Sequence, residues 1–135
     1  MAEVSGETIP YPHVLGRGER IHKVLIVTIE MGEGDLRQVI AFSRRREEGT
    51  LSCCYHIGRL TGGVFRPEAA DCLRQASAED IDLGLEAVLS GVRSGAKGKF
   101  LSHTIYDLSA IATREEQLEF LAGRGLRHLV RAAGE

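Results

Sequence analysis

The spacing of apolar residues changes period along this chain. From Arg20 to Met31 the sequence RIHKVLIVTIEM sets Ile21, Lys23, Leu25, Val27 and Ile29 against His22, Val24, Ile26 and Thr28. Both sets are apolar in the middle, as a strand covered on two faces requires. Gly32-Glu33-Gly34-Asp35 then predicts a hairpin connection, because glycine supplies the positive φ that tight turns need. The returning strand spans Arg37 to Arg45, with Val39 and Ala41 on one side and Ile40 and Phe42 on the other. Arg44-Arg45-Arg46-Glu47-Glu48-Gly49 reads as a solvated turn. A third strand, Leu51 to Leu60, groups Leu51, Cys53, Tyr55 and Ile57 against Ser52, Cys54, His56 and Gly58, and Gly62-Gly63 ends it.

Beyond this meander the period lengthens. Pro67 suits the first turn of a short helix through Gln75. Ser77 and Asp80 form a capping pair ahead of a helix whose stripe is Ile81, Leu85, Val88, Leu89 and Val92. After a glycine-rich break from Gly91 to Gly98, Lys99 to Tyr106 alternates as a fourth strand. Thr113 with Glu116 caps a C-terminal helix carrying Leu118, Leu121, Leu126, Leu129 and Val130, interrupted at Gly123-Arg124-Gly125.

The order of elements predicts an α+β fold: an antiparallel sheet of about four strands, opening with a three-stranded N-terminal meander, with two to three helices packed on it. A strongly curved sheet approaching a half barrel is the alternative. Residues 1–19, with Pro10, Pro12 and Gly16-Arg17-Gly18, read as an extended arm, and 20–135 as a single domain. The βαβ alternation of a dinucleotide-binding fold is missing.

Composition narrows the function classes. The 135 residues are 43% hydrophobic and 27% charged, enough apolar surface for one core without staples. A net charge of −2 excludes the globally basic surface of a duplex-binding protein. Fourteen of the 17 cationic residues are arginines, the better choice for planar recognition of phosphate or carboxylate, although a compositional bias of the genome produces the same excess. Cys53, Cys54 and Cys72 make an odd count with no disulfide framework. No signal-like or membrane-length apolar run occurs, which suggests a reducing cytoplasm and no membrane partner.

Candidate chemistry is sparse. Gly91, Gly95, Gly98 and Lys99 lack the spacing, the Ser or Thr and the following helix of a phosphate loop. Cys54, His56, Cys72 and His103 are candidate metal ligands, but no paired CxxC or HxxxH element supports them. Cys54 with His56 or His103, and Ser102 with His103, are the candidate nucleophile and base pairs; neighbours on one strand point apart. Glu30, Glu33 and Asp35 cluster at a turn, where carboxylates are usually solvated. The most function-like group is Arg37, Arg44, Arg45, Arg46, Arg59 and Arg66 with Tyr55 and Phe65, a set suited to stacking and holding single-stranded nucleic acid. Glu47 and Glu48 oppose it.

The preferred expectation is a small non-enzymatic interaction or assembly module that self-associates, or binds another protein, and takes no cofactor. Exposed sheet edges have to be paired or covered, and Arg114, Arg124, Arg127 and Arg131 along the C-terminal helix offer a second surface. Single-stranded nucleic-acid binding through the arginine-bearing sheet, and an enzyme or metal protein using Cys54, His56 and His103, are the alternatives.

Overall fold

A computed structural model describes residues 11–46, 49–76, 82, 84–86, 89–90 and 98–133, with the strand backbone only for 71–76. Its centre is a five-stranded antiparallel sheet. The strands are β2 (Arg20–Gly32), β3 (Asp35–Arg45), β4 (Leu51–Thr61), β5 (Val64–Ala76) and β6 (Lys99–Asp107), in the order β5-β4-β3-β2-β6. A short β1 (His13–Leu15) pairs in parallel with a C-terminal β7 (Val130–Ala132) as a separate two-stranded ribbon. Residues 82, 84–86 and 89–90 are helical (α1), and Arg114–Gly123 forms α2.

The register assigns every central side chain to a face. Val24, Ile26, Ile40, Phe42, Cys54 and His56 lie in paired rows on one face. There Val24, Ile40 and Phe42 join Leu15, Ile21, Leu108, Leu121, Leu129 and Val130 in a core closed by β1, β7 and α2. Leu25, Val27, Val39, Ala41, Leu51 and Cys53 face the other way and pack under Leu85 and Leu89 of α1. Two buried faces explain why β2 reads as a continuous apolar run. Of the stripe expected for the helix after Ser77, Leu85 and Leu89 are helical and buried; its Ser77–Asp80 cap, Ile81, Val88 and Val92 lie outside the described residues, as do Glu47, Glu48 and most of the Gly91–Gly98 break.

The sheet has one strand more than expected, because the segment from Pro67 to Gln75 is not a helix. It belongs to β5. Gly62 and Gly63 do more than end β4: at φ 58° and 80° they form a two-residue hairpin linking Thr61 to Val64. Pro67 sits opposite Gly58 beside a β-bulge on an edge strand, a place that tolerates a missing N–H. A Cβ on Gly58 would collide with the Arg66 carbonyl and come within 2.9 Å of Phe65 Cε1, so the close approach of β5 depends on glycine there.

Two other features depart from the periodicity. Within residues 11–19, read as part of an arm, His13 and Leu15 of β1 are buried, and the Ala133 N–H donates to the Leu15 carbonyl at 2.9 Å, while Arg17 and Gly18 are exposed. The C-terminal helix stops at Gly123; Arg127–Leu129 is a single 3₁₀ turn and Val130 begins β7. The Thr113 cap is formed, its hydroxyl accepting from the Glu116 N–H at 3.1 Å.

A polar residue fastens α2 to the sheet. Gln117 is fully buried; its Oε1 accepts from the Ile21 N–H at 2.8 Å, and its Nε2 donates to the carbonyls of Ile21 and Leu108, each at 2.9 Å. Ile21 borders a bulge in the β2–β3 ladder, so the side chain satisfies backbone groups that the sheet leaves open.

Candidate interaction surface

The structure distributes the sequence-selected residues rather than gathering them. Cys54 and His56 register on the face that carries β1 and α2, while His103, opposite Val27, registers on the α1 face. Three inter-strand spacings, roughly 14 Å, separate β4 from β6 in addition. Cys54 is disulfide-bonded and Cys53 is the free buried thiol. The expectation of no disulfide framework is therefore revised: the backbone of Cys72 lies directly opposite Cys54, a register that brings Cβ atoms within disulfide reach. Burial pushes the Cys53 thiol up to about 11, which keeps it protonated at neutral pH. Among the described residues, no group of three His, Cys, Asp or Glu side chains is arranged to hold a metal ion. Ser102 pairs with Thr28 and His103 with Val27, so this Ser–His pair straddles the sheet.

His56 instead belongs to an aromatic cluster. The His13 ring stacks on Phe42 at 4.8 Å and meets His56 edge-on at 4.7 Å, and Tyr11 lies 5.2 Å from His56 and 5.1 Å from Phe65. Burial first, then the neighbouring His56 and Arg44, lower the His13 pKa to about 3. The ring is held neutral.

The arginines fall into two groups at opposite ends of β3. Arg37 and Arg44 are seven residues apart on that strand, roughly 23 Å. Arg44 is half-buried and anchors β1: its Nη1 donates to the Val14 carbonyl, and Nε donates to Ser52 Oγ at 3.4 Å. Its Nη2 lies 3.7 Å from Cys54 Sγ, and burial lowers its pKa. Arg45 donates to the Gly49 carbonyl at 3.2 Å, and Arg46 pairs with Glu19 at 3.6 Å. Arg37, Arg59 and Arg66 form a cross-strand row at the other end. Asp35 accepts there from Arg37 at 3.2 Å and lies 3.5 Å from Arg59, and Glu68 meets Arg37 at 3.1 Å. These contacts border a groove of about 440 Å³ between the β2–β3 and β4–β5 turns. Tyr55 and Phe65 pack against opposite cores.

Part of the arginine excess has a structural use that composition does not reveal. Arg20 donates to the Ile111 carbonyl at 3.2 Å, Arg114 to Gly16 at 2.8 Å and Arg127 to Val130 at 2.6 Å. With Arg44 and Arg45, five guanidinium groups clip backbone oxygens in loops and terminal segments. Arg124 lies over the Phe120 ring at 4.6 Å.

The feature that sequence reasoning did not single out is the outer edge of β6. Among the described residues no strand pairs with that side. Seven of the nine β6 residues are exposed, all but Phe100 and Tyr106. Leu101 and Ile105 keep 43% and 41% of their surface accessible, so two apolar side chains project along this strand. The stretch Leu101-Ser102-His103-Thr104-Ile105 carries no proline and no Lys, Arg, Asp or Glu. The opposite edge strand, β5, is guarded by Arg66, Pro67, Glu68 and its bulge.

Among the described residues no helix is long and apolar enough to cross a membrane. Comparison of the chain with protein-family models, with curated proteins and with solved structures finds no match.

Proposed function

We propose that the chain is a small non-enzymatic interaction and assembly module that self-associates by strand addition at the outer edge of β6. The observation carrying this reading is the exposure of that edge. A nine-residue strand with two exposed apolar side chains, and with no strand on its outer side among the described residues, is a template for pairing with another strand. Main-chain hydrogen bonds supply affinity, and burial of Leu101 and Ile105 supplies the apolar contribution.

The cationic surface supports nucleic-acid binding less well. Arg44 and Arg45 are engaged with backbone oxygens, and Arg37, Arg46 and Arg59 lie beside carboxylates. Two separated groups do not form one continuous track for a phosphate backbone.

Sedimentation velocity at micromolar concentration tests the proposal. The unaltered chain should sediment above the monomer mass of 14.7 kDa. Ile105→Lys places a charge on the exposed edge without touching either core, and should return the chain to monomer with its circular dichroism unchanged. A monomeric unaltered chain, or an Ile105→Lys variant that assembles equally well, would overturn the reading.

A further inference from the structure

We infer that the strand added to β6 is β6 of a second copy, antiparallel and centred on His103. This rests on the edge-pairing reading above and specifies its partner and register. In an antiparallel ladder centred on residue 103, positions that sum to 206 stand opposite one another. Leu101 then faces Ile105, Ser102 faces Thr104, and His103 faces its own copy. Apolar meets apolar and hydroxyl meets hydroxyl, the cross-strand pairings that stabilise sheets. At each end Lys99 of one copy is brought towards Asp107 of the other, so the charges are complementary as well.

The faces agree. Ile105 and His103 register on the α1 side of the sheet, and Ser102 and Thr104 on the other, so like-facing residues meet throughout the central stretch. The bulge at Leu101, between Ser102 and Phe100, shifts the ladder with β2, which continues through Phe100 and Lys99, and the Leu101 side chain remains exposed for a partner. A shift of one position would set His103 against Ile105 and Ser102 against Tyr106, which opposes polar to apolar groups and places the partly buried Tyr106 in the seam. Strands related by a two-fold axis through His103 form an isologous contact that closes after two copies. The two five-stranded sheets would merge into one continuous sheet of ten.

Cysteine cross-linking reads this register. His103 is exposed, so His103→Cys gives up a ring contact with Phe100 at 5.8 Å but removes no buried core side chain, and at the axis the two new thiols lie within disulfide reach. Mild oxidation should convert His103→Cys into a covalent dimer. Thr104→Cys should remain uncrosslinked, because its copy would be displaced by two residues, with Cα atoms more than about 7 Å apart. The unaltered chain, with Cys53 buried and Cys54 already bonded, serves as the control. Cross-linking of Thr104→Cys in place of His103→Cys would overturn the register and keep edge assembly. Failure of both variants in a chain that sediments as a dimer would place the second copy elsewhere. A monomeric chain that does not cross-link would remove this inference together with the proposed function.

Discussion

Replacing Gln117 with leucine is expected to lower stability by on the order of 3–5 kcal/mol, a large part of the 5–15 kcal/mol typical of a domain. Leucine fills similar space, so the loss comes from hydrogen bonding rather than from a cavity. The Ile21 N–H and the carbonyls of Ile21 and Leu108 would remain buried without the partner that now binds all three. The comparison is Thr113→Ala, which removes an exposed cap at the start of the same helix and should cost about 1 kcal/mol. Urea titration of both variants checks the ranking. A Gln117→Leu midpoint no lower than that of Thr113→Ala would show that those backbone groups find other partners.

Acid should weaken the fold through His13. Its pKa falls to about 3 in the folded chain from 6.5 in the open one. Between those values the unfolded state binds a proton that the folded state refuses, so stability rises with pH across the window and is lost as pH falls below 6.5. Complete expression of that difference corresponds to roughly 5 kcal/mol, an upper bound because neighbouring groups relax. Burial lowers His22 as well, chiefly by desolvation and then by Lys23, so it acts in the same direction. Among the described residues, the groups facing His13 are Tyr11, Phe42, His56 and Arg44, with no carboxylate among the interactions that shift it. His13→Phe keeps a ring against Phe42 and removes the titration. Thermal melts from pH 7 to pH 4 should therefore fall less steeply for His13→Phe than for the unaltered chain. Parallel curves would assign the acid sensitivity to other groups.

The central strands were legible because β-branched residues run through β2 and alternate cleanly in β3 and β4, and a strand buried on two faces leaves that trace. Pro67 misled for a physical reason: proline suits both the first turn of a helix and a bulged edge strand, and only Gly58 on the neighbouring strand distinguishes the two. The pairing of His13 with Val130 joins the two ends of the chain and leaves no local period to read. Gln117 resembles an ordinary solvated helix residue until the bulge at Ile21 is placed beside it.

The candidate site was less legible than the fold. Arg44, Arg45 and Arg46 are adjacent in sequence, yet alternation and internal carbonyls send them to separate tasks. Cys54 and His56 do share a face, but His103 registers on the other. The matching chemistry around His103 is visible in the sequence once β6 is placed at the end of the strand order. Without that knowledge it is an ordinary alternating strand.

Amide hydrogen exchange over Leu101–Ile105, followed as the chain is concentrated through the micromolar range, tests the β6 edge most directly. Pairing predicts that alternate amides, those directed away from β2, exchange quickly in dilute solution and become protected as copies associate, while amides already bonded to β2 change little. Exchange at those outward amides that is independent of concentration would contradict assembly through this strand.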